Sequence, residues 1–314
     1  MAGKYSIDTK KYKNKMVSSC ARAGVKLNLT DPKTIQDKLC YLNIYDTNPL
    51  KVKCADKILV HDYCKKKLGE DICIPLIATY DKAEEIKWDE LPEKFVLKCN
   101  HGSGMNIIVR DKKKLDKALA VSKLNRWLKE DFTFKNGFEA HYHDIKRRIL
   151  VEEYKEDGHK QLLDYKFLCF NGVPKYVLVI GGRGSGPLDI QYYDMDFKKQ
   201  TIRKKKTKKG EPSQKKPKSF ELMKEYAKKL SEDFKFVRVD FYEIDGEPYL
   251  GELTFTPKAM HFRYENPKDE IMMGNLLDIS DLVKKESERA KKAAQKKMNA
   301  IPKKGKRTPL SFYI

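Results

Sequence analysis

The chain has 314 residues, 40% apolar and 11% aromatic, with 66 Lys and Arg against 45 Asp and Glu and a formal net charge of +21. That is enough chain for two or three packed subdomains and too aromatic for a disordered polymer. No apolar run approaches the ~20 residues of a membrane crossing, and the opening MAGKYSIDTKKYKNK lacks the apolar core of a secretory leader.

Residues 198–218 carry +10 and residues 284–314 carry +9, which leaves +2 for the other 262 residues. A near-neutral body therefore wears a basic loop and a basic tail. Such segments attract nucleic acid, anionic lipid or acidic polysaccharide. Without interleaved aromatics or a zinc-finger, helix-turn-helix or RRM pattern, they do not point to specific nucleic-acid recognition. The seven cysteines are odd in number, scattered and free of any Cys-x-x-Cys pair. That reads as reduced thiols of a cytoplasmic protein, not a disulfide frame or a zinc site.

In chain order, residues 1–50 predict short amphipathic helices, broken at Asp31-Pro32 and restarted with Thr34 as N-cap. A helix over Asp56–Leu68 stops at Gly69, and residues 72–78 are extended. Phe95–Cys99, a glycine-bearing loop and Asn106–Val109 read as strand, loop and strand. Residues 112–130 fit a helix with Leu115, Leu119, Leu124 and Trp127 as its apolar stripe. Strands follow at Arg148–Tyr154, Asp164–Phe170 and Pro174–Ile180. After the basic loop, Ser219 caps a helix whose Phe220, Met223, Ala227 and Leu230 share a face. A hairpin, 236–243 with 247–255, completes the body, and 284–299 is polar on every face, an exposed helix or a tail. Hairpin-connected strands among helices make the class α+β. The predicted domains are a helical segment 1–50, a subdomain 51–150 with the glycine loop, a subdomain 151–275 with the basic loop, and a tail 276–314.

The hairpin carries the densest chemistry. A two-residue Asp245-Gly246 turn would set Val239 opposite Glu252 and put a carboxylate on the apolar face. A three-residue Ile244-Asp245-Gly246 loop moves the register by one. Arg238, Asp240, Glu252 and Thr254 then share one face, and Val237, Val239, Phe241, Tyr249, Leu253 and Phe255 the other. Carboxylates that close need a cation between them. Mg²⁺, which takes oxygen ligands, is one reading; a surface hairpin with Arg238 bridged to Glu252 is the other.

Lys98 before Gly102-Ser-Gly104 can surround phosphate oxygens with an ammonium and backbone N–H groups, or the glycines simply make a turn. Leu150–Lys155 either offers its backbone to an adenine edge or links two regions. His141 and His143 lack a third metal ligand and read as a helix start or surface pair. Arg183, in the 181–186 glycine loop, clamps an anionic substrate or belongs to a linker. Asp194-Met-Asp196 has the DxD spacing of nucleotide-sugar enzymes but falls on a turn beside lysines.

Taken together, Asn48-Pro-Leu…Ala55-Asp-Lys57, Phe95-Val-Leu-Lys-Cys-Asn-His-Gly-Ser-Gly104, Asp164-Tyr-Lys-Phe-Leu-Cys-Phe-Asn-Gly172 and Val237-Arg-Val-Asp-Phe-Tyr242…Gly251-Glu-Leu-Thr-Phe255 resemble the TupA-like ATP-grasp family of bacterial surface-polysaccharide clusters. The resemblance spans roughly residues 30 to 266. It implies two α+β subdomains clamping ATP. Lys57 and Lys98 would neutralise phosphates, Gly102, Ser103 and Gly104 would close over them, and Glu152, Glu153 and Tyr154 would read adenine. Asp164 would hold the ribose, Asp240, Glu252 and Thr254 the Mg²⁺, and Arg238 with Lys98 would be catalytic.

Two departures mark this chain. Thr254 stands where the family's metal motif commonly has Asn, and Lys258 follows Pro257 where Gly is common. With Arg183, Lys258 is the candidate contact for the acceptor. The reaction implied is carboxylate–amine ligation through an acylphosphate, joining an amino acid or amine to an anionic, uronic-acid-containing glycan. Phosphoryl transfer to a sugar, glycosyltransfer, and non-enzymatic polyanion binding are the alternatives. The expected setting is the cytoplasm, with 198–218 and 284–314 offering peripheral contact to an anionic inner membrane face.

Overall fold

Four helices open the folded chain: α1 (Lys13–Arg22), α2 (Ile35–Tyr45), α3 (Leu50–Ala55) and α4 (Val60–Leu68). The structure, a computed structural model, describes residues 5–156, 162–181, 189–205 and 215–299. α2 starts as expected: Thr34 Oγ1 accepts from the Asp37 N–H and the Asp37 carboxylate accepts from the Thr34 N–H, a reciprocal cap. The helix expected over 56–68 begins only at Val60. Asp56 is buried and its Oδ1 accepts from the Ile58 N–H at 2.8 Å, and this local side-chain bond competes with helix continuation. The resulting turn, between α3 and α4, carries Lys57.

The strands and later helices are β1 (Leu76–Tyr80), β2 (Phe95–Cys99), β3 (Asn106–Val109), α5 (Lys117–Lys129), β4 (Ile149–Glu153), β5 (Asp164–Phe170), β6 (Val173–Gly181), β7 (Asp189–Tyr193), α6 (Phe220–Ser231), β8 (Phe236–Ile244), β9 (Glu247–Thr254), α7 (Pro267–Asn275) and α8 (Ser280–Asn299). They form two antiparallel sheets, ordered β1-β4-β2-β3 and β7-β6-β5-β8-β9. β4 lies inside the first sheet, so the divide between sheets falls after Glu153. β7 was not expected from sequence. The chain separates into two compact units, one ending at Asp278 and one beginning at Ile279. In the second, α8 is largely exposed along its described length. Among the described residues no helix is long and apolar enough to cross a membrane.

Two helix expectations shift. Asp116 accepts from the Leu119 N–H and starts α5 at Lys117. Its buried positions become Ala120 and Leu124, four apart, while Leu119 is 50% exposed. Ser219 does not cap α6 with its side chain; its Oγ and N–H both donate to Glu243 Oε2, at 2.6 and 2.7 Å. The apolar face of α6 is as read: Phe220, Met223, Ala227 and Leu230 pack with Phe167, Val177, Val239 and Phe241 of the second sheet. Each such side chain contributes roughly 1.5–3 kcal/mol on burial. Because strand residues alternate, the opposite face of β5 presents Asp164 and Lys166.

The β8–β9 hairpin reaches the expected face by a different route. Its turn has two residues, Asp245 and Gly246, at φ 55° and 86°, so Ile244 pairs with Glu247. The register then slips at Gly251: Phe241 pairs with Leu250, but Asp240 pairs with Glu252. This β-bulge brings the two acids opposite each other. It also reverses one apolar assignment, since Leu250 joins the core and Tyr249 does not. Gly251 is required by close approach: a Cβ there would lie 2.9 Å from the Tyr242 ring.

The start of the basic segment is also folded. Lys205 N–H donates to the Arg263 carbonyl at 2.7 Å and Glu265 N–H to the Arg203 carbonyl at 2.9 Å. Lys204 is buried with its ammonium 4.4 Å from the Phe262 ring centroid, and burial, reinforced by the Arg238 and Lys258 charges, pushes its pKa down to about 7. Residues 206–214, and Arg183, lie outside the described residues.

Candidate active site

One wall of the candidate site grows from β2. Strand alternation sends Phe95, Leu97 and Cys99 into the core and leaves Lys98 facing outward, where its ammonium pairs with the Glu152 carboxylate on β4. The loop after β2 is pinned from both sides. Asn100 Nδ2 donates to the Lys146 carbonyl at 2.8 Å, its Oδ1 accepts from the Arg148 N–H at 2.7 Å, and His101 Nε2 meets the Trp127 carbonyl at 3.1 Å. Phe132 packs so closely on Gly102 that a Cβ would come within 2.5 Å of its ring. Lys57 donates to the Gly102 carbonyl, which ties the α3–α4 turn to the glycine loop.

The other wall is the polar face of the second sheet. Arg238 binds Asp240 through two bonds, Nε–Oδ1 and Nη2–Oδ2, each 2.6 Å. Its Nη2 also reaches Glu252 Oε1 and Thr254 Oγ1, both at 3.0 Å, and the Thr254 hydroxyl donates to Glu252 at 3.0 Å. Lys166 Nζ lies 2.5 Å from Asp240 Oδ2 and 3.5 Å from Asp164 Oδ1. This is no surface hairpin: the Asp240 side chain is 2% exposed and that of Arg238 12%.

The electrostatics follow from that packing. Burial pushes the Asp240 carboxyl up, against the pull of Arg238 and Lys166. Burial also opposes ionisation of Glu252, but Arg238, Lys166 and Lys57 outweigh it and hold the carboxyl at about 2. Burial lowers Lys57 despite nearby Glu252.

The two walls line one cleft of ≈ 340 Å³, with Lys57, Lys98, Ser103 and Gly104 on one side and Asp164, Lys166, Asp240 and Glu252 on the other. Lys166 is the residue sequence reasoning left without a role. Its signal was present, since Asp164-x-Lys166 repeats the one-apart spacing of Arg238-x-Asp240 and Glu252-x-Thr254 on neighbouring strands. The oxygen-only donors Asp240, Glu252 and Thr254 fit Mg²⁺ chemistry.

The remaining candidates are placed less directly. Glu152 and Glu153 are strand residues of β4, and the Glu153 N–H already donates to the Pro75 carbonyl at 3.0 Å, so it is not open to an adenine edge. Tyr154 follows the strand and its hydroxyl accepts from Arg110 Nε at 3.0 Å. Lys258 is exposed and does not line the cleft; it stands at φ 49°, in the left-handed backbone region that glycine adopts freely. His141 lies in a one-turn 3-10 helix, Ala140–Tyr142, buried against Tyr142 and Phe255, and His143 caps that helix at the surface, so the two do not form a metal pair. Asp194 caps its own turn, accepting from the Asp196 and Lys198 N–H groups at 3.0 and 2.8 Å.

Several solved structures are similar to the chain. The D-alanine–D-alanine ligase of Bacillus anthracis is 18% identical, with 80% of this chain and 72% of that one covered at a TM-score of 0.43. For the Helicobacter pylori D-alanine–D-alanine ligase the values are 17%, 77%, 69% and 0.40. For the Thermotoga maritima phosphoribosylamine–glycine ligase they are 12%, 66%, 48% and 0.38. No curated protein sequence matches the chain. The family model for TupA-like ATP-grasp proteins matches residues 37–277, which contain both sheets and both walls of the cleft, and the chain therefore belongs to the TupA-like ATP-grasp family, with its α+β ATP-grasp fold.

Proposed function

We propose that the chain is an ATP- and Mg²⁺-dependent ligase joining a carboxylate to an amine in bacterial surface-polysaccharide assembly. Its partners are an amino acid or amine and an anionic, uronic-acid-containing glycan. The observation that carries the proposal is the shared cleft, with Lys57, Lys98 and the glycine loop facing Asp240 and Glu252.

Every cation around the cleft is held by a protein oxygen: Lys57 by the Gly102 carbonyl, Lys98 by Glu152, Arg238 by Asp240 and Glu252, and Lys166 by Asp240. Phosphates would draw on the cations, Mg²⁺ on Asp240, Glu252 and Thr254, and no buried charge would be stranded by the exchange. Gly102–Gly104 would lie over the phosphates, Tyr154 and the end of β4 beside the base, and Asp164 beside the ribose. Bound there, MgATP supplies the phosphoryl group that activates a carboxylate for attack by an amine. Arg238, released from its carboxylates, would balance negative charge on the transferred group. Lys258 and Arg183 are the residues we propose for the anionic acceptor. The basic segments would hold the enzyme at an anionic membrane face on the cytoplasmic side.

The test is ATP-dependent phosphate release against a panel of amino acids and uronic-acid glycans, with product analysis. ADP, free phosphate and a new amide support the ligase. Phosphate retained on the acceptor makes the chain a phosphotransferase and overturns the reading. A variant lacking 284–314 should keep ATP turnover; if it loses all turnover, the tail belongs to the site.

A further inference from the structure

We infer that His61, Cys64, Asp71 and Cys73 form a zinc site that staples α4 to the segment crossing between the two sheets. Sequence spacing conceals it, because the thiols stand nine positions apart and no Cys-x-x-Cys announces them. Folding supplies the missing proximity. His61 and Cys64 are three apart on α4 and so share a face. Asp71 and Cys73 are two apart in the extended stretch after Gly69 and so share a side.

One ligand atom each from His61, Asp71 and Cys73 lies within 4.8 Å of the others. Cys73 Sγ is 3.7 Å from Cys64 Sγ, and both thiols are free and buried. Two thiolates on a tetrahedral zinc, at Zn–S of ~2.3 Å, stand roughly 3.8 Å apart. The His61 Nδ1 to Asp71 Oδ2 distance is 2.9 Å. Sulfur and imidazole donors select zinc over harder cations. His61, Asp71 and Cys73 converge on one point, and Cys64, beside Cys73, would supply the fourth donor of a structural site. Lys65 approaches the same Asp71 oxygen at 3.5 Å, but its side chain is 61% exposed and free to turn into solvent.

The position gives the staple a consequence. Leu250 of β9 donates to the Ile72 carbonyl at 2.7 Å and bridges Cys73, while Pro75 and Leu76 are bonded to β4. His61 and Cys73 also line a recess of ≈ 50 Å³ shared with Lys57, Lys98, Glu152 and Glu252. The ion would therefore fix the strand that touches both sheets, next to the cleft. Loading converts two thiols to thiolates and releases their protons to solvent.

The inference does not depend on the ligase reading, and its test is metal content, not turnover. The full chain, purified without chelator or added metal, should carry one zinc by elemental mass spectrometry. Replacing the zinc with Co²⁺ should produce thiolate-to-cobalt charge-transfer absorption. Cys64→Ser with Cys73→Ser should abolish that band, Asp71→Asn should weaken metal affinity roughly tenfold or more, and Lys65→Ala should preserve it. A wild-type chain with only trace zinc and no cobalt band overturns the site without any variant. So does a band that survives the double substitution. If the double variant does not fold, His61→Ala must still lower the zinc stoichiometry of soluble protein, and an unchanged value refutes the site.

Discussion

The two walls of the cleft are built on opposite plans. On the β2 side each lysine has a single partner: Lys98 holds Glu152, and Lys57 holds one carbonyl of the glycine loop. On the β8–β9 side Arg238, Lys166, Asp240, Glu252 and Thr254 form a closed network in which every member has two or more partners. Removing Lys98 from the first wall strands one buried acid, Glu152, and removing Lys57 frees a carbonyl. Removing Arg238 from the second takes a partner from two acids at once, Asp240 deep in the sheet and the more open Glu252. The first wall is thus the adaptable one, and the second is preorganised at a cost in desolvation.

The largest expected effect comes from Arg238→Ala, which leaves Asp240 and Glu252 facing each other. We expect loss of about 3–5 kcal/mol of stability, read as a lower urea midpoint, together with loss of ATP turnover. Lys98→Ala should abolish turnover and cost less, about 1–3 kcal/mol, because it leaves one acid unpaired instead of two. Full activity in this variant removes Lys98 from the phosphate site, and an equal stability loss in both variants erases the contrast between the walls. Gly251→Val should follow, at about 1–3 kcal/mol, because the Tyr242 ring must move and the bulge that sets Asp240 against Glu252 is strained. An unchanged melting temperature would show that the bulge does not need glycine.

The smallest effect sharpens the comparison through pH. Glu252, held at about 2 by its cations, contributes stability above its ordinary 4.5 that is lost as pH falls from 4.5 toward 2. Glu139, buried behind the cleft wall and bonded to Thr256, has no cation of that strength, and burial raises it to about 7. It contributes the opposite slope: stability declines as pH rises from 4.5 to about 7. Glu139→Gln should flatten that upper slope and leave the acid limb intact. A stability profile identical to wild type between those pH values would remove Glu139 as its source.

Much of the site was legible because strands alternate. Lys98, Arg238, Asp240, Glu252 and Thr254 could be placed on a face from spacing alone, and Asp164-x-Lys166 carried the same signal. The misreadings arose where a short polar side chain changed the local path. Asp56 delayed the start of α4, Asp116 reset the start of α5 and exposed Leu119, and Glu243 drew Ser219 away from its helix. The hairpin was right in outcome and wrong in mechanism, since a bulge at Gly251 supplied the register attributed to the turn.

By itself, the order of residues determined the family, the α+β class and which side chains share a strand face, because these depend on local periodicity and ordered motifs. Folding alone decided which faces meet. Lys57 and Glu252, far apart in the chain, become neighbours only when the two sheets pack, and Cys64 meets Cys73 only when the crossing segment folds back on α4; no local preference encodes either approach. The same packing excludes water around Arg238 and Asp240, which is why their electrostatics belong to the tertiary structure and not to their spacing.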